Sequence, residues 1–183
     1  MELTKTAKLE ALLFASGDPL SLERAAAALY CSTDEVADLL EALQREYRKE
    51  ERGIQLRKVA GGWQLVTKKQ AAGLVRRLHE KQEVKLSSAA METLAIIAFR
   101  QPVTKSEMEA IRGVKVDGVL GTLVELGLVG EVGRKEVIGR PILYGTTEEF
   151  LQAFGFNSLE DLPRLPEEVL DGTAEGSEPL FKE

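Results

Sequence analysis

The clearest hydrophobic pattern in the chain runs through Ser32–Glu50. Apolar side chains at Val36, Leu39, Leu40, Leu43 and Tyr47 recur at i, i+3, i+4, i+7 and i+11. That spacing lays one stripe along one face of an α-helix. Ser32 followed by Glu35 opens the helix with capping-box spacing. Upstream, Leu9, Leu12 and Leu13 mark a helix over Leu3–Ala15, ended by the turn chemistry of Ser16-Gly17-Asp18-Pro19. A second helix is predicted over Leu22–Leu29, after Ser21. At Gly53 the period changes from helical to alternating. Ile54, Leu56 and Val59 predict one strand, and Trp63, Leu65 and Thr67 its partner, with Gly61-Gly62 as the hairpin turn. Lys68–Leu78 reads as a further helix whose apolar positions are Leu74, Val75 and Leu78.

The same order returns in the second half. Ser87–Phe99 is an apolar helix closed by Arg100-Gln101-Pro102, and Thr104 with Glu107 caps a short helix over Lys105–Ile111. A third helix, Val116–Leu126, stops at Gly127. Two strand-like runs, Leu128–Val132 and Pro141–Tyr144, flank a loop rich in Gly, Arg and Lys. Thr146 with Glu149 then opens a last helix ending at Gly155. Three helices and a terminal hairpin form the order of a winged helix-turn-helix. Leu13–Ser21 aligns with Ile96–Thr104 at an offset of 83, and Trp63–Thr67 with Ile142–Thr146 at an offset of 79, which reads as an internal duplication. The expected fold is mostly α with small β-hairpins (α+β), as two tandem winged helix-turn-helix domains over 1–82 and 83–163. Each half is near the size at which one core is marginal, so docking or dimerisation is expected to help.

Charge sharpens this picture. The net charge is −6 over 183 residues. Residues 1–80 hold 13 Lys/Arg against 12 Asp/Glu, 81–157 hold 9 against 10, and 158–183 hold 2 against 8. The acidity therefore sits at the C-terminal end, and 164–183 is expected to be a disordered acidic tail. A partner motif at Leu162–Leu170 is the alternative reading there. The folded part has no broad basic field of the kind that attracts phosphate.

Helix chemistry argues against DNA reading as well. A winged helix that reads DNA places Arg, Lys, Asn or Gln of its third helix against base edges. Val116–Leu126 has none of these, and its charges are Asp117 and Glu125. In the first half, Asp34, Glu35, Asp38 and Glu41 occupy the corresponding positions. Gly118 and Gly121 cost helix stability relative to alanine; either tight packing inside the domain or close approach of another chain accounts for them. Arg134, Lys135 and Arg140 form the densest basic cluster, suited either to solvent or to a partner's carboxylates.

Nothing in the chain assembles a catalytic set. His79 is the only histidine and Cys31 the only cysteine, which leaves no His-based triad, metal cluster or disulfide framework. No phosphate-binding loop is present, and no catalytic residue, metal or cofactor is expected. No window approaches 18 uninterrupted apolar residues, and the N-terminus has no signal layout, so a cytoplasmic location is expected.

Leu94-Ala-Ile-Ile-Ala-Phe-Arg-Gln-Pro102, Ile111–Asp117, Gly133–Pro141, Leu143–Thr147, Phe154-Gly155 and Ser158-Leu-x-x-Leu-Pro163 occur in an order and spacing that resemble the segregation and condensation protein B family. Phe99, Gly121 and Ile138 depart from that pattern. The resemblance implies a non-enzymatic homodimeric adapter that binds the kleisin subunit, segregation and condensation protein A, of the bacterial SMC condensin complex. The SMC ATPase is then reached through the kleisin, with no sequence-specific DNA contact and a nucleoid-associated cytoplasmic location. It also implies dimerisation through 1–82. Arg100, Arg112, Asp117, Arg134, Arg140 and Tyr144 are the expected partner-binding residues, with Arg100 and Asp117 equally suited to holding turns. The alternatives are a winged-helix DNA-binding transcriptional regulator and a dimeric scaffold with no fixed partner.

Overall fold

The computed structural model describes residues 2–78 and 86–163. His79, the inter-half boundary and the acidic tail lie outside the described residues. The chain forms two compact units, Met1–Glu83 with Gly155–Leu159, and Val84–Phe154 with Glu160–Glu183.

In the first unit, α1 (Lys5–Ser16), α2 (Leu22–Leu29) and α3 (Thr33–Tyr47) precede the hairpin β1 (Ile54–Val59) and β2 (Gly62–Thr67), a 3₁₀ turn (Lys69–Ala71) and α4 (Ala72–Leu78). Thr4, Ser21 and Ser32 cap the three helices, each side-chain oxygen accepting from an amide three residues on. That pairing satisfies one of the free donors at a helix start. The capping box at Ser32 is half made, because the Glu35 carboxylate pairs instead with Lys5 at 2.5 Å. Leu9, Leu13, Val36, Leu40, Leu43, Tyr47 and Leu56 are buried together, with Leu39 packed at the edge. Helix α3 stops at Tyr47, three residues before the predicted end. The Tyr47 hydroxyl donates to the Glu10 carboxylate; burial, then that carboxylate, pushes its pKa up to about 12.

The hairpin turn falls on Ala60-Gly61, one residue earlier than expected. Both have positive φ, 47° and 72°, the twist that joins antiparallel strands tightly. The turn is held from outside: the Ala60 amide donates to the Phe156 carbonyl and the Gly61 amide to that of Asn157, each at 3.0 Å. Gly62 is already in β2, paired with Val59. Helix α4 is the least anchored element, with no buried residue and with Leu74 and Leu78 exposed.

In the second unit, α5 (Ser88–Arg100) leads through β3 (Val103–Thr104) to α6 (Lys105–Arg112), α7 (Asp117–Glu125), β4 (Val129–Arg134), β5 (Ile142–Thr146) and α8 (Glu148–Phe154). The sheet order is β3-β5-β4, antiparallel throughout. Leu94, Ile97, Met108, Val116, Leu123, Val129 and Phe150 are fully buried. Two features escaped the hydrophobic pattern. The two-residue strand β3 is too short to show alternation. Helix α8 is capped by Thr147, whose hydroxyl accepts from the Phe150 amide at 3.2 Å and donates to the Gly127 carbonyl at 2.5 Å. Thr146 belongs to β5, and its amide and hydroxyl both donate to Gln101 Oε1, at 2.8 and 3.1 Å.

Among the described residues no helix is long and apolar enough to cross a membrane.

Candidate partner-binding surface

The surface of the second unit is organised by the N-terminus of α6. Thr104 and Glu107 make a full capping box. The Glu107 carboxylate also receives Lys135 of the β4–β5 loop at 2.6 Å, which ties the wing to the helix start. Lys135, then the Thr104 amide and hydroxyl, lower the Glu107 pKa to about 2. Beside it, Lys105 pairs with Asp117 at the start of α7. That contact raises the Lys105 pKa and lowers that of Asp117, with Tyr144 of β5 adding weakly to the Lys105 shift. Glu109 accepts from Lys115 and from the Val116 amide, at 3.2 and 3.3 Å. The charged groups thus bind the turn, both helix starts and the wing into one frame.

Glu107 has a definite pH signature. Its folded pKa lies below the ordinary value of 4.5, so it stabilises the fold above that value, and the contribution is lost as pH falls toward 2. Glu107→Gln is expected to be less stable than the parent at pH 7, with the gap narrowing between pH 4.5 and 2. Urea titrations across that range check this, and a gap independent of pH would count against the assignment.

The six sequence-predicted residues fall into separate places. Asp117 and Tyr144 flank Lys105. Arg134 and Arg140 lie on the wing, where Arg134 Nη1 donates to the Arg140 carbonyl at 3.2 Å. Arg140 pairs with Glu136 at 3.0 Å and has φ of 39°. Arg112 points inward, its side chain only 11% exposed. It donates to the Ala89 carbonyl, to Thr93 Oγ1 and to Glu92, at 3.2, 2.9 and 2.8 Å, and so fastens α6 to α5. Arg100 is exposed in the last turn of α5.

Between these charged groups the exposed surface is small and apolar. Ile111 and Val114 are exposed around the α6–α7 turn, and Val124 is exposed on α7. A Cβ added at Gly118 or Gly121 would meet nothing within 4 Å. Tight packing inside the domain is therefore not the reason for either glycine, and both leave the outer face of α7 open. At the wing, Val132 and Val137 are half exposed and Ile138 is fully exposed. Sequence reasoning passed over Lys105, Glu109 and Ile138. The local signals were lysines on either side of Asp117 and an apolar pair, Val137-Ile138, inside a polar loop.

Among the described residues no group of three or more His, Cys, Asp or Glu side chains is placed to hold a metal ion.

Two winged helix-turn-helix units with acidic or glycine-rich third helices, and with ion pairs framing an apolar outer face, define a tandem winged-helix protein built for contact with another polypeptide. The family described as "Segregation and condensation complex subunit ScpB" matches residues 7–165. Segregation and condensation protein B of Moorella thermoacetica is 55% identical over 159 residues, covering 87% of this chain and 82% of that protein. The Geobacillus thermodenitrificans protein of the same name is 53% identical over 177 residues, covering 96% and 85%. The chain belongs to the segregation and condensation protein B family. Among solved structures, ScpB from Mycobacterium tuberculosis is 37% identical, with 85% of this chain and 99% of that chain covered at a TM-score of 0.40. A dimer of the ScpB N-terminal domain complexed with ScpA peptide is 44% identical, covering 43% and 91% at a TM-score of 0.40.

Proposed function

We propose that this chain is a non-enzymatic homodimeric adapter subunit that binds the kleisin, segregation and condensation protein A, of the bacterial SMC condensin complex. In that role it supports chromosome condensation and segregation. Membership of the family, at 55% identity over most of both chains, is the observation that carries the reading. The surface chemistry agrees with it. Helix α7 offers a partner helix close approach at Gly118 and Gly121, and the small apolar side chains around it desolvate at little cost. The wing arginines, Arg134 and Arg140, suit carboxylates at the rim of such a contact. In this reading the first unit dimerises, the SMC ATPase is reached through the kleisin, and the protein is cytoplasmic and nucleoid-associated.

A DNA-reading regulator is not favoured. Helix α3 exposes Asp34, Asp38 and Glu41, and α7 exposes Asp117 and Glu125; both third helices would repel phosphate.

Size-exclusion chromatography with light scattering, on the chain alone and mixed with the kleisin of the same genome, tests the proposal. A dimer that moves into a stable complex is the expected result. A chain that stays unshifted by the kleisin would remove the proposal. Within the complex, Arg134→Glu with Arg140→Glu is expected to weaken kleisin binding about tenfold or more, without lowering the melting temperature. An unchanged dissociation constant would exclude the wing from the contact.

A further inference from the structure

Helix α1 is apolar on two sides. Leu9 and Leu13 are buried in the core of the first unit. On the outer side, Ala11 and Ala15 are exposed, Ala7 is half-buried, and Phe14 stands 82% exposed. A surface helix ordinarily turns polar side chains outward, and one that is apolar all round is covered on both sides. Beside Phe14, a cleft of about 350 Å³ opens between α1 and α2. Leu12, Ala15, Leu20 and Ala28 line it, together with Asp18 and Arg24.

We propose that this face is the seam of the homodimer, with Phe14 of each protomer seated in the α1–α2 cleft of its partner. The inference rests on the homodimer reading above and assigns the surface that makes it. Three features of the face select a second copy as the occupant. A protruding aromatic and an apolar cleft lie side by side on one surface, which is the self-complementarity a twofold contact requires. The cleft carries one charge of each sign, Asp18 and Arg24, so a copy related by a twofold axis offers each an opposite. The alanines at 7, 11 and 15 allow two α1 helices to pack at the short end of the usual interaxial range. An aromatic anchor entering a partner's pocket is the kind of contact that dominates interface energy, and a phenylalanine of this exposure has most of its surface still to bury.

The test uses the full chain, followed by sedimentation equilibrium over a range of concentrations. Phe14→Glu is expected to raise the dimer dissociation constant about 100-fold or more. Its Trp63 fluorescence melt should be unchanged, because the replaced side chain is exposed. Ala11→Arg places a charge at the middle of the same face and is expected to do the same, which covers the case in which Phe14→Glu fails to fold. A parent chain that is monomeric throughout would sink the homodimer reading and this inference with it. A parent dimer whose dissociation constant neither variant alters would leave the homodimer standing and move its seam elsewhere. Variants that stay dimeric but lose the kleisin would give the cleft to the kleisin, and would equally overturn the assignment.

Discussion

Gly62→Val is expected to lose roughly 3 kcal/mol of stability, a large share of what a unit of this size possesses. The reason is a close backbone approach. Leu20 and Trp63 exchange amide-to-carbonyl hydrogen bonds at 2.9 Å in both directions, stitching the α1–α2 loop to β2. A Cβ at Gly62 would lie 2.9 Å from the carbonyl carbon of Pro19 and 3.0 Å from the Leu20 nitrogen. Both neighbours are main chain, which cannot swing aside as a side-chain tip can. Valine adds two further methyls to that clash, so the stitch must open. Trp63 is the sole tryptophan and sits in the stitch, so its emission reports the event directly. A red-shifted spectrum and a much lower urea midpoint are expected. A midpoint within about 0.5 kcal/mol of the parent would mean that the two segments do not approach this closely in solution.

The second large effect belongs to the other unit. Phe150→Ala is expected to cost about 3–5 kcal/mol, the loss typical of a large aromatic removed from a packed core. Phe150 is fully buried, and its ring centroid lies 4.9 Å from that of Phe154. It is presented by the first turn of α8, where Thr147 accepts from its amide while donating to the Gly127 carbonyl just after α7. Removing the ring loosens α8 and, through Thr147, the end of α7 that carries the open apolar face. Hydrogen exchange is expected to deprotect α8 and α7 amides together, with a lower thermal midpoint by circular dichroism. A loss below about 1 kcal/mol would show that α8 is not part of this core.

Where hydrophobic periodicity was strong, local pattern and structure agree. Helices α2, α3, α5 and α6 begin at their Ser or Thr caps as read, because a cap and a 3.6-residue stripe are both written within one short window. The disagreements are all places where a distant segment decides. The hairpin turn sits on Ala60-Gly61, held by carbonyls of Phe156 and Asn157 nearly a hundred residues on. Thr147 rather than Thr146 caps α8, because Gln101 of the α5–β3 connection has already engaged Thr146. No local window contains either partner.

The candidate surface divides along the same line. The amino-acid sequence by itself determined the winged-helix order in both halves, the missing catalytic set and the acidic or glycine-rich third helices, since each depends only on which residues are near one another in the chain. It also marked Arg134 and Arg140 as a wing cluster. Only the tertiary structure decided that Arg112 turns inward to Thr93 and Glu92, that Glu107 joins the wing through Lys135, and that Gly118 and Gly121 open outward. It likewise decided that Phe14 leaves the core while Leu13 beside it enters. Residue identity states what a side chain is able to contact; the direction in which α1, α6 and α7 turn their faces depends on packing between elements far apart in sequence, and that packing exists only once the chain has folded.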